Sequence, residues 1–335
     1  MTWKERTSFW FEPLKNEEVE SLSVVRTVLG DVAPEALGLC QTHEHITCDQ
    51  RVSRIPNDNM VLVDEEKLTR ELNRYYAAGG RAMVDVTTGD WGRNPERQAR
   101  LSHATGVHII ATGGFYIEPH MPQLVWDWPI PRIVDWMLEE FHEGMDGTDI
   151  RIGLLKSGIA AGRIEGIERK GLRAVARAAL ETGLAITTHT SGSRRQEVPG
   201  GNLAAYHLEV LLEEGVSPTQ LINGHTDERP DIGFLSELCE LGCYIQFDVL
   251  GKTHWLLDET RVDLLKELIR RGHVGHILLG TDRCTQDELY PELGGLGYVY
   301  LLESFRPLMI KMGLEEKDIH QMLAVNPGNA LGVNL

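Results

Sequence analysis

Eight short runs rich in Val, Ile and Leu, separated by segments of helical pattern, restrict this chain to very few architectures. They fall at 37–45, 82–88, 107–114, 151–157, 185–190, 221–226, 243–249 and 277–282. Short apolar runs with β-branched residues and turn signals at their ends read as strands. The intervening segments read as helices. Asp64 is placed to cap a helix carrying Leu68, Leu72, Tyr75 and Tyr76, which Gly79-Gly80 closes. Leu172, Val175, Ala176, Ala179 and Leu180 precede Gly183 with the same spacing, and Val262, Leu265, Leu268 and Ile269 precede Gly272. These stripes predict core packing and carry no chemistry. Strands alternating with helices imply a parallel sheet, and eight such units predict an α/β fold closed into a (β/α)8 TIM barrel. An open doubly wound sheet is the alternative, but no glycine-rich phosphate loop follows the first strand. Residues 1–335 are expected to form one barrel domain. Residues 1–36 precede it, with Val25–Leu29 and the turn Gly30-Asp31 as a small hairpin on its N-terminal end.

Charge narrows the partners. Thirty-three basic residues against 50 acidic ones give −17, which repels nucleic-acid backbones and anionic lipid and leaves a small molecule as the expected partner. No run approaches the roughly 20 apolar residues that cross a bilayer. The five cysteines, Cys40, Cys48, Cys239, Cys243 and Cys284, form no Cys-x-x-Cys pair and read as reduced thiols of a cytoplasmic protein.

The chemistry begins at Thr42-His43-Glu44-His45. Side chains two apart on a strand share a face, so His43 and His45 present two imidazoles together. Other polar residues sit at later strand ends: Lys156 on the fourth, His189 on the fifth, His225 on the sixth and Asp282 on the eighth. Singly, each has a plain reading: a hydrogen-bonded core histidine, a lysine reaching solvent, a helix cap. A barrel, however, gathers all its C-terminal strand ends on one face. Four histidines, a lysine and a carboxylate converging there form a two-metal constellation.

This ordered set resembles the phosphotriesterase family of the amidohydrolase superfamily. The carrying segments are Thr42-His43-Glu44-His45, Thr112-Gly113-Gly114-Phe115-Tyr116, Lys156, Thr188-His189, Gly224-His225-Thr226-Asp227, Asp282 and Asn326-Pro327, and the match runs from Thr27 to Leu331. The resemblance implies a barrel of the amidohydrolase type with two divalent ions, zinc foremost, with cobalt, manganese or iron as alternatives. It implies that His43, His45 and Asp282 hold the buried ion, and His189 and His225 the exposed one. Lys156 would bridge them as an N-carboxylated lysine. A shared hydroxide would be the nucleophile, with Asp282 accepting its proton and Asp227 or Glu228 as candidates to pass it on. A homodimer is also implied, although no interface is legible.

The loops are less explicit about substrate. Phe115 and Tyr116 follow the third strand, where the family has an aromatic residue against the leaving group. Val249 stands where phosphotriesterases carry a histidine and many lactonases an arginine, and can replace neither. His254, Trp255 and Leu257 suggest a partly apolar wall. Trp91 and Arg93 lie just past the second strand, Arg93 as a candidate for binding a carboxylate or sulfonate, or as a loop brace. Tyr290 and Gly294–Tyr298 are a flap candidate or plain turns. Three functions stand: a lactonase or esterase with promiscuous phosphotriesterase activity, an amidase for N-acyl amino acids or similar small anions, and a non-catalytic metal- or ligand-binding barrel. The intact ligand set argues against the third. A positively lined pocket would favour the second over the first.

Overall fold

The computed structural model describes residues 23–118, 120–159, 166–190, 203–228 and 230–334. Strands β3 (Cys40–Glu44), β4 (Ala82–Asp85), β5 (His108–Gly114), β6 (Leu154–Gly158), β7 (Ile186–His189), β8 (Leu221–Asn223), β9 (Tyr244–Phe247) and β10 (Ile277–Leu279) form one parallel sheet in sequence order. Each lies within a run read from the sequence, except that β6 continues one residue further, to Gly158. Helices fill the connections, giving the expected (β/α)8 barrel. Asp64 caps helix Glu65–Ala77 by accepting from Lys67 N at 3.1 Å. Two residues of the predicted stripes are not core. Tyr76 and Leu180 are 40% and 48% exposed, because each sits one position round the helix from the buried face. The described cysteines are all buried free thiols, and no described helix is long and apolar enough to cross a membrane.

Antiparallel β1 (Ser23–Thr27) and β2 (Gly30–Val32) form a hairpin that turns at Val28-Leu29 rather than at the expected Gly30-Asp31, which pair with Thr27 and Arg26; β1 also pairs with β11 (Val333–Asn334). Residues 1–22 of the expected N-terminal extension lie outside the described residues. Val25, fully buried, packs with Leu37, Ile110, Leu154 and Leu331 at the strand starts, so the hairpin plugs the end opposite the histidines. Asn326 pins the C-terminal helix Asn326–Leu331 beneath β10, donating from Nδ2 to the carbonyls of Val274 and Ile277, both at 2.7 Å.

The seam between β3 and β10 joins the first and last strands of the barrel. Asp282 N donates to His43 O at 3.0 Å, and Thr42 Oγ1 donates to Leu279 O at 3.1 Å. Gly280 has no side chain because a Cβ there would come within 3.0 Å of His43 O. Glu44, pointing away from the histidines, accepts from Thr281 N at 2.6 Å, Thr281 Oγ1 at 2.9 Å and Arg283 N at 3.1 Å. Burial dominates these bonds and lifts its carboxyl from 4.5 to about 8. The neutral acid is then the favoured native form. Its contribution to folding is complete below about pH 4.5 and is lost as pH rises through about 8. We predict that the stability of the wild type relative to Glu44→Gln falls across this window in urea melts at fixed temperature; a flat difference would contradict a buried protonated Glu44.

Candidate metal centre

Every ligand candidate of the sequence reading lies at a C-terminal strand end. His43 is in β3 and His45 just past it, Lys156 is in β6, His189 ends β7, and His225 and Asp282 follow β8 and β10. All are buried. The imidazoles are held from behind. His43 Nδ1 lies 3.0 Å from Asp248 Oδ2 and 3.1 Å from Gln246 Oε1. His45 Nδ1 lies 2.7 Å from Thr87 Oγ1, and His225 Nδ1 lies 2.9 Å from Asp248 Oδ1. Thr87 is itself fixed by Asp85, whose Oδ1 accepts from Thr87 N at 3.1 Å.

With Nδ1 engaged, each ring turns Nε2 towards the others. His45 Nε2 is 3.6 Å and His43 Nε2 is 4.0 Å from Asp282 Oδ1. His225 Nε2 is 2.6 Å from His189 Nδ1, and the His43 and His225 ring centres are 4.9 Å apart. The far nitrogen of His189 meets Tyr116 OH at 3.0 Å, and Lys156 Nζ lies 5.3 Å from the Tyr116 ring centre. His43 Nε2 is buried without a hydrogen-bond partner among the described residues. A buried polar atom left unpaired is costly, and one facing other nitrogens and a carboxylate fits a cation site. The donor set, imidazole nitrogen with carboxylate oxygen, is that of zinc and its first-row neighbours.

The electrostatics of His45 and His189 agree. Burial, reinforced by Lys156 at His45 and by His225 at His189, holds both rings well below 6.5, in the neutral form that donates a lone pair. Burial also lowers the Lys156 amine, against the opposing pull of Asp282, Asp90 and Asp248. Burial alone would raise Asp282, but the Lys252 ammonium and the histidines keep it below the usual carboxylate range. At His225 burial acts downward, yet Asp248 prevails and carries the ring up to about 9.

Two ligand candidates sit on left-handed backbone. His225 and Asp282 have φ of 56° and 47°, a region uncommon for residues other than glycine, in which Asn, Asp and His are the ones found most often. Chain crowding enforces this at β8, where a Cβ on neighbouring Gly224 would sit 2.1 Å from Thr188 O.

The sequence profile of the phosphotriesterase family matches residues 23–331. The chain belongs to this family. The family is one of metal-dependent hydrolases, and this chain is a hydrolase. The phosphotriesterase homology protein of Escherichia coli (strain K12) is 30% identical over 292 residues, 87% of this chain and 96% of that protein. Its crystal structure, with phosphate in the active site, superposes with a TM-score of 0.82 at 29% identity, covering 88% of this chain and 99% of that one. The N-acetyltaurine hydrolase of Rattus norvegicus is 30% identical over 345 residues, 90% of this chain and 96% of that protein. A lactonase from Listeria monocytogenes superposes with a TM-score of 0.83 at 26% identity, covering 92% of this chain and 99% of that one.

Within this family member, the remaining sequence candidates separate into two groups. A cavity of about 180 Å³ opens above the histidines, and Trp91, Tyr116, Glu228 and Trp255 line it with Met60, Val249, Lys252 and Cys284. Trp91 stacks between His45 and Tyr116, at 4.9 and 4.3 Å, and its indole N–H has no acceptor among the described residues. Four candidates face elsewhere. Arg93 braces the loop instead of binding an anion: it is buried against Glu140, and its Nε donates to Asp146 Oδ2 at 2.7 Å. Phe115 stacks on Trp136 at 5.7 Å, in the layer between sheet and helices. His254 is exposed and packs on Trp255 at 5.4 Å. Asp227 is no outward relay: it is fully buried, accepting from Arg261 Nε at 2.7 Å and Asp248 N at 3.2 Å. The segment considered as a flap is anchored, since Tyr298 is buried and donates to His45 O at 2.7 Å.

Two further residues carry no signal in the sequence pattern. Asp248 shares only the alternation of β9, which turns it inward beside Gln246. Lys252 follows Gly251 in the loop after β9, and its Nζ reaches Asp282 Oδ2 at 3.0 Å and Glu288 Oε1 at 3.2 Å. We predict that Arg93→Ala costs about 3–5 kcal/mol in denaturant unfolding, because it strands the buried Glu140 carboxylate. The residual folded enzyme should keep its KM for anionic substrates, whereas a large KM increase would restore Arg93 to the binding site.

Proposed function

We propose that this chain is a two-metal hydrolase of small acyl compounds, acting foremost on the amide of an N-acyl amino acid or aminosulfonate. The convergence of four buried imidazoles and Asp282 on one space is the observation that carries the metal reading. His43, His45 and Asp282 would hold one divalent ion, His189 and His225 the other, and Lys156 would link them once carboxylated. The lowered Lys156 amine supports that modification, because only a neutral amine adds carbon dioxide. Bound ions of this kind supply Lewis acidity and a water made acidic near neutral pH. The chain's own groups do the rest. Asp282, kept ionised beside Lys252, can accept a proton at Oδ1 on the side facing His45. Tyr116 and Trp91 wall the cavity and exclude water, and both carry N–H or O–H groups able to orient an acyl substrate.

The cavity lining reverses the order in which the sequence ranks substrates. Arg93, the cation named from sequence, is buried elsewhere, but Lys252 puts an ammonium in the wall. A buried cation beside the reacting centre suits a substrate with its own carboxylate or sulfonate. The N-acetyltaurine hydrolases among the relatives support this class. Lactone hydrolysis is the second reading, favoured by the apolar side of the same cavity, Met60, Val249 and Trp255, and by the lactonase likeness.

Chelation should abolish hydrolysis, and zinc, cobalt or manganese should restore it, with two ions per chain by elemental analysis. Full activity at one ion or none would end the two-metal reading. Asp282→Asn should stay folded, since asparagine tolerates the left-handed backbone, yet lose turnover in steady-state assays. Lys252→Met should lower turnover of every substrate through Asp282 and, in addition, raise KM for N-acyl amino acids and aminosulfonates at least tenfold, the scale of one lost charged hydrogen bond, with KM for neutral lactones unchanged. Equal KM changes on both substrate types would favour a purely structural Lys252.

A further inference from the structure

Asp248 sits where the two ligand sets meet. It is fully buried at the end of β9, one residue beyond Phe247. Its Oδ1 faces His225 Nδ1 at 2.9 Å, and its Oδ2 faces His43 Nδ1 at 3.0 Å. The backbone N–H of His225 lies 3.1 Å from Oδ1 and 3.0 Å from Oδ2. A backbone N–H can only donate, so the carboxylate is fixed as an acceptor on both oxygens. We propose that Asp248 is a positioning residue shared by both metal positions, one carboxylate holding the Nδ1–H form of His43 and of His225 so that each Nε2 is left for a different ion.

This rests on the two-metal reading above, in which His43 and His225 serve separate ions. The usual arrangement gives each ligating imidazole its own acceptor, which fixes the tautomer and strengthens the lone pair on the other nitrogen. His45 follows that pattern with Thr87. His43 and His225 do not, because their acceptor is the same group. Gln246 Oε1 also approaches His43 Nδ1 at 3.1 Å, but it is a neutral acceptor shared with Thr187 Oγ1, so the Asp248 carboxylate is the stronger partner. A different role is open to the same atoms: ligand nitrogens of His43 and His225 and an oxygen of Asp248 lie within 4.8 Å of one another, as they would around a single ion. Against that role, three N–H groups already occupy the carboxylate. Shared support has a consequence that neither separate acceptors nor direct ligation would produce. Loss of this one side chain weakens both metal positions together.

The test is metal binding by the full-length protein with zinc alone, followed by calorimetry and elemental analysis, in the wild type and Asp248→Asn. We expect the variant to retain a capacity of two ions at saturating zinc, with affinity reduced about 10–100-fold at both positions. Reduction at one position only, loss of one whole ion, or unchanged affinities would each overturn the proposal. A second measurement does not depend on the variant folding. In zinc-loaded wild type labelled with nitrogen-15 histidine, both His43 and His225 should show a proton on Nδ1, assigned by single His→Gln variants. A ring protonated on Nε2, or bearing no proton on Nδ1, would also overturn it. Wild type that binds fewer than two ions would instead remove the two-metal reading, and this inference with it.

Discussion

The hydrogen bond from Asp282 N–H to the His43 carbonyl is the constraint on which the rest of the molecule depends. It joins the last barrel strand to the first at the point where each supplies ligand candidates. Without that seam, residues 43 and 282 would sit at opposite edges of an open sheet. Glu44 reinforces it from the outer side, so one tetrapeptide both presents the two histidines and fastens the barrel around them. Closing the cylinder and assembling the site are therefore a single structural event.

Charge is handled differently inside and out. The chain carries −17 overall, yet three of its buried cations are matched by local carboxylates. Arg93 meets Glu140 and Asp146, Arg261 meets Asp227 and Asp258, and Lys252 meets Asp282 and Glu288. Buried pairs of this type are weak sources of net stability but penalise any rearrangement that separates them. The first two hold the loops following β4 and β9 in place. Only the third borders the cavity, so the loops supply stiffness in two places and chemistry in one.

Much of this is legible in the sequence because periodicity encodes it. Strand alternation and the common polarity of parallel strands are enough to put His43, His45, Lys156, His189, His225 and Asp282 on one face. The same logic stops one residue further on. Phe115 and Tyr116 are neighbours, yet Tyr116 faces the cavity and Phe115 the helical layer; adjacency at a strand end leaves the inward member undetermined. Arg93 carries the right charge near the right strand, but Glu140 and Asp146, about fifty residues away, determine its partner. Asp227 is drawn inward by Arg261 for the same reason. Lys252 has no periodic signal, since a loop places it. Long-range pairing, rather than local pattern, decides which charged residues reach a substrate.

The backbone at His225 and Asp282 has a thermodynamic corollary. Each occupies a region of torsion space that glycine would fill without strain, and backbone N–H bonds hold it there, Asp282 N–H to His43 O and His225 N–H to Asp248. An ion bound by these side chains would couple to the folded state alone and add stability to it in proportion to occupancy.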